Sequence, residues 1–230
     1  MDNIIKANNN HEYTTHDLVK TLTDIYRKPQ NKYSLGKLFD ELAIGILRQS
    51  KIVTSNNQYY IREIEFYYYD ENIHPDTYTH KNKRQAEFGE WYFHRFSTVE
   101  SFLKTNRNGV DITFGNKKNN QFGGILIRKI EDSKTGELIE GINKVAKELI
   151  KSVGNEHLDS LAIGCGQKVF DKKSLLRLEV EGRNSKNAIY KVRRNGLSIK
   201  EGEVAKEYYD IPYCYFNHTI NVPILVKPAI

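Results

Sequence analysis

The run IREIEFYYY, at residues 61–69, constrains this chain most. Read as a strand, its alternation sends Ile64, Phe66 and Tyr68 to one face, and Glu63, Glu65, Tyr67 and Tyr69 to the other. One face is core; the other sets acids beside phenols. Just upstream, SLGKLFDELAIGILRQS (34–50) repeats at the helical period, with Leu35, Leu38, Leu42, Ile46 and Leu47 on one side. The period thus changes from helical to extended near residue 51. Between KIV and QYYIREIEFYYYD, Ser55-Asn56-Asn57 gives a hairpin.

The remaining segments follow the same logic. An Asn-rich arm over 1–16 precedes a helix through DLVKTLTDIYRK, capped by Thr15 or Asp17 and ended by Pro29. Residues 71–95, dense in His, Asp and Asn with Pro75, read as loop. GVDITFG and FGGILIRKIED read as strands, and GINKVAKELIKSVG as an amphipathic helix with Gly154 at its C-cap. LLRLEVEG, AIYKVRRNGLSI and YYDIPYCYF read as three closing strands. The fold class expected is α+β, a single domain with a mixed, largely antiparallel curved sheet flanked by helices. The division expected is an arm and helix over 1–33, then the α+β domain over 34–230.

Composition narrows the function classes. With 39% hydrophobic and 28% charged residues the chain is globular. It has neither a membrane-length apolar run nor a signal-peptide core near its start, so the expected setting is the cytoplasm or nucleoid, without a membrane partner. Cys165 and Cys214 form no CxxC and are expected to be buried free thiols. A net charge of +6 favours a polyanionic partner. KNKR (81–84), NKK (116–118) and KVRRNG (191–196) are the clusters that could meet phosphates. His74, His80 and His94 with Asp70 and Asp76 lack metal-ligand spacing, so no metal is expected.

Glu65 remains the chemically suggestive residue. It either lies on a solvent-facing strand edge, paired with Arg62 or a lysine, or sits beside Tyr67 with its pKa raised towards that of a general base.

Taken in order, ELAIGIL (41–47), REIEFYY (62–68), DTYTH (76–80), GVDITFG (109–115), ILIRKIED (125–132), GNEHLDSLAIG (154–164), RRNGLSI (193–199) and DIPYCYF (210–216) resemble the methylpurine-DNA glycosylase family, also called alkyladenine or 3-methyladenine DNA glycosylases. The resemblance spans about residues 35–217. It implies a DNA-repair N-glycosylase for alkylated or deaminated purines, acting as a monomer on DNA without cofactor or metal. Glu65 would activate the water that attacks C1′ of a flipped nucleotide, with Arg128 near that water. Tyr67 would stack on the extruded base and His80 line the opposite wall, with Tyr92 and His94 rebuilding part of it. Asn108, Lys117, Lys118, Arg193 and Arg194 would contact nucleic acid.

The chain also departs from the family. Asn108 stands where a tyrosine wedge is expected, Gly115 where an asparagine is expected, and Tyr213 and Cys214 where a basic residue and its neighbour are expected. Two alternatives therefore stand beside the glycosylase: a nucleic-acid-binding module without catalysis, and a hydrolase of a free nucleoside-like substrate.

Overall fold

The structure is a computed structural model that describes residues 4–5, 12–27, 31–154, 168–182, 185 and 187–217. Helix α1 (Thr15–Arg27) opens with a reciprocal cap. The Thr14 hydroxyl accepts from the Asp17 N–H at 3.2 Å, and the Asp17 carboxylate accepts from the Thr14 N–H at 2.8 Å. Thr14 is therefore the N-cap, one residue before the first candidate. Leu18, Leu22 and Ile25 recur one helical turn apart and are buried in the main core. Helix α1 thereby shares the core of the elements that follow it. Helix α2 (Lys32–Gln49) starts two residues before Ser34, capped by Asn31 and Ser34 reciprocally. The two helices touch at Gly45, where a β-carbon would fall 2.5 Å from Leu18.

The sheet begins with a hairpin of β2 (Ser50–Val53) and β3 (Gln58–Asp70), as the Ser55-Asn56-Asn57 turn predicts. β4 (His74–Pro75) returns onto the end of β3. β5 (Phe88–Phe93) follows, then α3 (Val99–Lys104), β6 (Val110–Phe114) and β7 (Phe122–Asp132). After β8 (Leu138–Glu140) come α4 (Ile142–Val153), β9 (Arg177–Val180), β10 (Ile189–Val192), α5 (Glu203–Asp210) and β11 (Cys214–Phe216). A two-residue β1 (Ile4–Ile5) pairs with β10. The main path is β1-β10-β11-β3-β7-β6-β5, and every pairing among these strands is antiparallel. This is the α+β architecture with a curved, open antiparallel sheet.

Three stretches differ from expectation. Residues 71–95 are not all loop, because FGEWYF forms β5, with Gly89, Trp91 and Phe93 buried. Gly89 at φ +68° and flanking charges hide its alternation in the sequence. AIYKVRRNGLSI remains a strand only to Val192. In YYDIPYCYF the first three residues close α5, so only Cys214–Phe216 is strand.

β3 organises the site. Its Ile64, Phe66 and Tyr68 point into the core with Ile125, Ile127, Ile112 and Phe114. α2 covers β3 on that side and α4 covers β7. Phe39 of α2 stacks on Phe66 with ring centroids 4.6 Å apart. Burying such side chains is worth about 1.5–3 kcal/mol each, so this layer holds β3 rigidly. The opposite face is set by the same registers, and it is where the acids stand.

Candidate functional site

Pairing registers place one row of side chains across five strands. Cys214 lies opposite Glu65, Glu65 opposite Leu126, Leu126 opposite Asp111, and Asp111 opposite Tyr92. All face away from the helical layer. The next row sets Tyr67 opposite Gly124 and Gly124 opposite Thr113.

Glu65 is inside, with a side-chain exposure of 0%. The solvent-edge reading of this residue is overturned, as is its pairing with Arg62, which instead forks onto Glu131. Glu65 Oε1 accepts the backbone N–H of Asn195 at 2.6 Å. Its Oε2 accepts the Tyr67 hydroxyl at 2.9 Å and stands 3.3 Å from the Arg128 guanidinium. Burial pushes the carboxyl above the usual carboxylate range, opposed by Arg128, the Asn195 N–H, the Tyr67 hydroxyl and Arg194. Burial and the Glu65 charge drive the Tyr67 phenol well above its ordinary value, so it stays a donor.

Glu63 supports this centre from the same face. It accepts Arg128 Nε at 3.0 Å, so one guanidinium bridges both acids. Asn195 Nδ2 reaches Glu63 at 3.4 Å and the Cys214 thiol lies 3.6 Å from it. Burial and the two glutamates hold that thiol protonated. Cys214 is a buried free thiol, as expected, whereas Cys165 and most of GNEHLDSLAIG lie outside the described residues.

Behind Tyr67 stands Arg194, expected at a phosphate but 1% exposed. Its guanidinium forks onto Asp76 at 2.6 and 3.2 Å and donates to the carbonyls of Phe66 and Tyr208 at 3.2 and 2.9 Å. The same cation lies 4.6 Å from the Tyr67 ring centre. Arg194 is thus an internal clamp on the loop that carries Asn195, not a surface contact. His74 is equally structural. Its Nδ1–H donates to the Tyr68 carbonyl at 2.8 Å and its Nε2 accepts from Tyr213 at 3.0 Å, a neutral ring held below its ordinary pKa by burial.

A second cluster lies on the far side of Leu126. His94 Nε2 is 2.9 Å from Asp111 Oδ1, and Gln85 Nε2 donates to Asp111 Oδ2 at 2.9 Å. Burial opposes charge on His94, but Asp111 outweighs it and raises the imidazole above its ordinary value. His80 and His94 rings stand 5.8 Å apart, and Tyr92 and His94 rings 4.8 Å. Burial and the neighbouring His94 hold His80 below its ordinary value. Gly124 permits this arrangement, since a β-carbon there would fall 2.5 Å from Asp111 Oδ2. Gly109 does the same for His94, 2.9 Å from Nδ1.

The structure therefore groups Glu65, Tyr67 and Arg128 on one side of Leu126, and His80, His94 and Tyr92 on the other. Asp111, Gln85 and Asn195 complete these clusters and were missed from sequence, while Asp76, weighed there only as a metal ligand, is instead the partner of Arg194. Only register and loop closure bring them in. Asn108 is not at a nucleic-acid surface, because it is 1% exposed and bonds the Phe102 carbonyl and Thr105. Lys117 and Lys118 are exposed on the turn after β6, and Arg193 is exposed with its cation over Tyr209 at 4.2 Å. Among the described residues no group of three or more His, Cys, Asp or Glu could hold a metal, and no helix is long and apolar enough to cross a membrane.

No family model matches the chain. It is 30% identical over 188 residues to the uncharacterized protein L759 of Acanthamoeba polyphaga mimivirus, across 77% of this chain and 84% of that one. The chain belongs to the family of L759. That relative's name assigns no activity, so function is argued from the geometry.

Proposed function

We propose that this chain is an N-glycosylase that hydrolyses the bond between a damaged purine and its sugar in DNA. The observation that carries the proposal is Glu65: a fully buried carboxylate beside a phenol and bridged by Arg128. A carboxylate offers about four acceptor positions. Asn195, Tyr67 and Arg128 take three, and the proposed mechanism assigns the fourth to the attacking water.

Burial raises Glu65 towards the range of a base, while Arg128, the Asn195 N–H, the Tyr67 hydroxyl and Arg194 oppose that rise and favour the carboxylate. As the N-glycosidic bond lengthens, positive charge builds on the sugar ring. The carboxylate stabilises that charge and takes the proton from the water attacking C1′. Tyr67, backed by Arg194, offers a ring against which a flipped base can stack. His80 and His94 stand beyond Leu126 to meet the base from the other side.

Base release from oligonucleotides carrying alkylated and deaminated purines tests the reading. Wild type should release base, and Glu65→Gln should bind equally while releasing none. If Glu65→Gln releases base at the wild-type rate, the mechanism is wrong. Binding without release by wild type would instead favour a nucleic-acid-binding module on this scaffold. Competition by a free purine nucleoside, with DNA inert, would favour a small-substrate hydrolase.

A further inference from the structure

A concavity lies beside the Gln85–Asp111 cluster. Lys83, Arg84, Ala86, Glu87, Lys117, Asn120 and Phe122 line a cleft of about 340 Å³. Such a volume lies within the range of small-ligand pockets, about 300–1,000 Å³, and is too narrow to admit a duplex. The turn Lys83–Ala86 joins the two places. Gln85 reaches inward to Asp111, while Lys83, Arg84 and Ala86 face the cleft.

The cleft has an aromatic wall on the same sheet face as Tyr67. Phe122 lies opposite Tyr69 across β3 and β7, two residues along from the Tyr67–Gly124 pair, or about 7 Å. The Tyr69 and Phe122 rings are 6.3 Å apart, and Lys81 Nζ sits 3.9 Å above Tyr69. The basic groups are only loosely held. Lys117 Nζ is 3.9 Å from Glu87, an exposed contact worth little, and Arg84 is 3.8 Å from Glu90, a part-buried acid that Lys168 already meets at 2.8 Å, so both cations can turn to phosphate. Glu87 supplies an acceptor for a base amino group, and Lys117 offsets its charge.

We propose that this cleft takes an unpaired nucleotide of a nucleic-acid strand, its base against Phe122 and its phosphates on Lys83, Arg84 and Lys117. Concave shape, an aromatic wall and loosely paired cations are what single-strand recognition requires, whereas a duplex needs only a basic outer surface. The inference rests on the nucleic-acid reading of the neighbouring site but not on bond cleavage. It assigns this chain a preference for strands opened beside the target base.

Fluorescence anisotropy with short labelled oligo-dC, oligo-rC and a duplex, over a range of salt, tests it in a Glu65→Gln background. Lys83→Ala with Lys117→Ala should weaken single-strand binding about tenfold and lower the salt slope by about 0.7 for each phosphate no longer neutralised. Phe122→Leu keeps an apolar side chain and should weaken it about five- to a hundred-fold by removing the π face. Lys134→Ala, an exposed lysine beyond β7, serves as the control. Melting temperatures near that of the parent confirm that each variant folds. The tighter of the two single strands identifies the sugar preferred. The proposal is overturned if the cleft variants match the control, if the duplex loses as much affinity as the single strands, or if no oligonucleotide binds. If wild type releases no base while the cleft variants still weaken binding, the cleavage reading fails and the cleft stands.

Discussion

The backbone N–H of Asn195 meets Glu65 Oε1 at 2.6 Å, joining residues 130 apart in the chain. The contact holds because Arg194, the residue before, is anchored to Asp76, Phe66 and Tyr208. A buried ion pair thus acts through one peptide unit on the carboxylate that the proposed chemistry uses.

Arg194→Met should therefore cost about 3–5 kcal/mol, since it strands Asp76 as an uncompensated buried charge. Urea denaturation measures this directly. Pairing it with Asp76→Leu should recover much of the stability, because replacing a buried pair with apolar groups is often neutral. A single-variant loss below about 1 kcal/mol would show that the clamp is not the anchor described.

Arg128 touches Glu65 and Glu63 together, so its removal should be felt as acidity. Burial already raises the Glu65 pKa, and Arg128 is the first opposing influence. Arg128→Gln should raise it further. Because the base must be ionised, the acid limb of the base-release profile should move to higher pH, with roughly a hundredfold loss at neutral pH. An unmoved limb would separate Arg128 from the titration of Glu65.

His94 gives a stability signature of the opposite kind. Its folded pKa is raised above the ordinary 6.5 by Asp111, despite burial. The ion pair therefore contributes stability that is fully present below pH 6.5 and lost as pH rises through the folded value. His74 and His80, both lowered, oppose this trend in wild type, as do Arg95 and Lys200 near the imidazoles. The comparison is thus with His94→Gln: its melting temperature should fall furthest below wild type in acid, and the gap should narrow at alkaline pH. A gap independent of pH would mean the imidazole is not charged against Asp111.

Two glycines should respond in opposite directions. Gly124→Ala drives a methyl to 2.5 Å from Asp111 and 3.0 Å from Gln85, and should cost about 1–3 kcal/mol. Gly36, inside α2, has open space where its β-carbon would go. Gly36→Ala should stabilise by about 0.5–1 kcal/mol through helix propensity. Thermal unfolding reads both, and equal signs would refute the packing described at Gly124.

Much of the frame is legible in the sequence itself. The period change near residue 51, the Ser55-Asn56-Asn57 hairpin and the strands at 110–114 and 122–132 are local patterns, and strand alternation alone put Glu65 beside Tyr67. What escaped was long-range or disguised. β5 is only six residues long and holds a left-handed glycine, so its alternation reads as loop. Asp111 gained its place only through the register of β6 on β7, which no local pattern shows. Arg194 was misplaced because an RR pair in a basic run looks solvated, although one of the two turns inward to Asp76. Charge in sequence does not say which side of a loop it faces.

Glu65 is specified early and completed late. Its strand and Arg128 lie within the first 128 residues, whereas Asp76 and Asn195 can be joined only after Arg194 has been made, and the paired strand β11 comes later still. A nascent chain released short of that point would hold an acid that lacks both its backbone donor and the strand opposite it. The chemistry proposed for Glu65 thus waits on residues that are among the last of the described chain to be made.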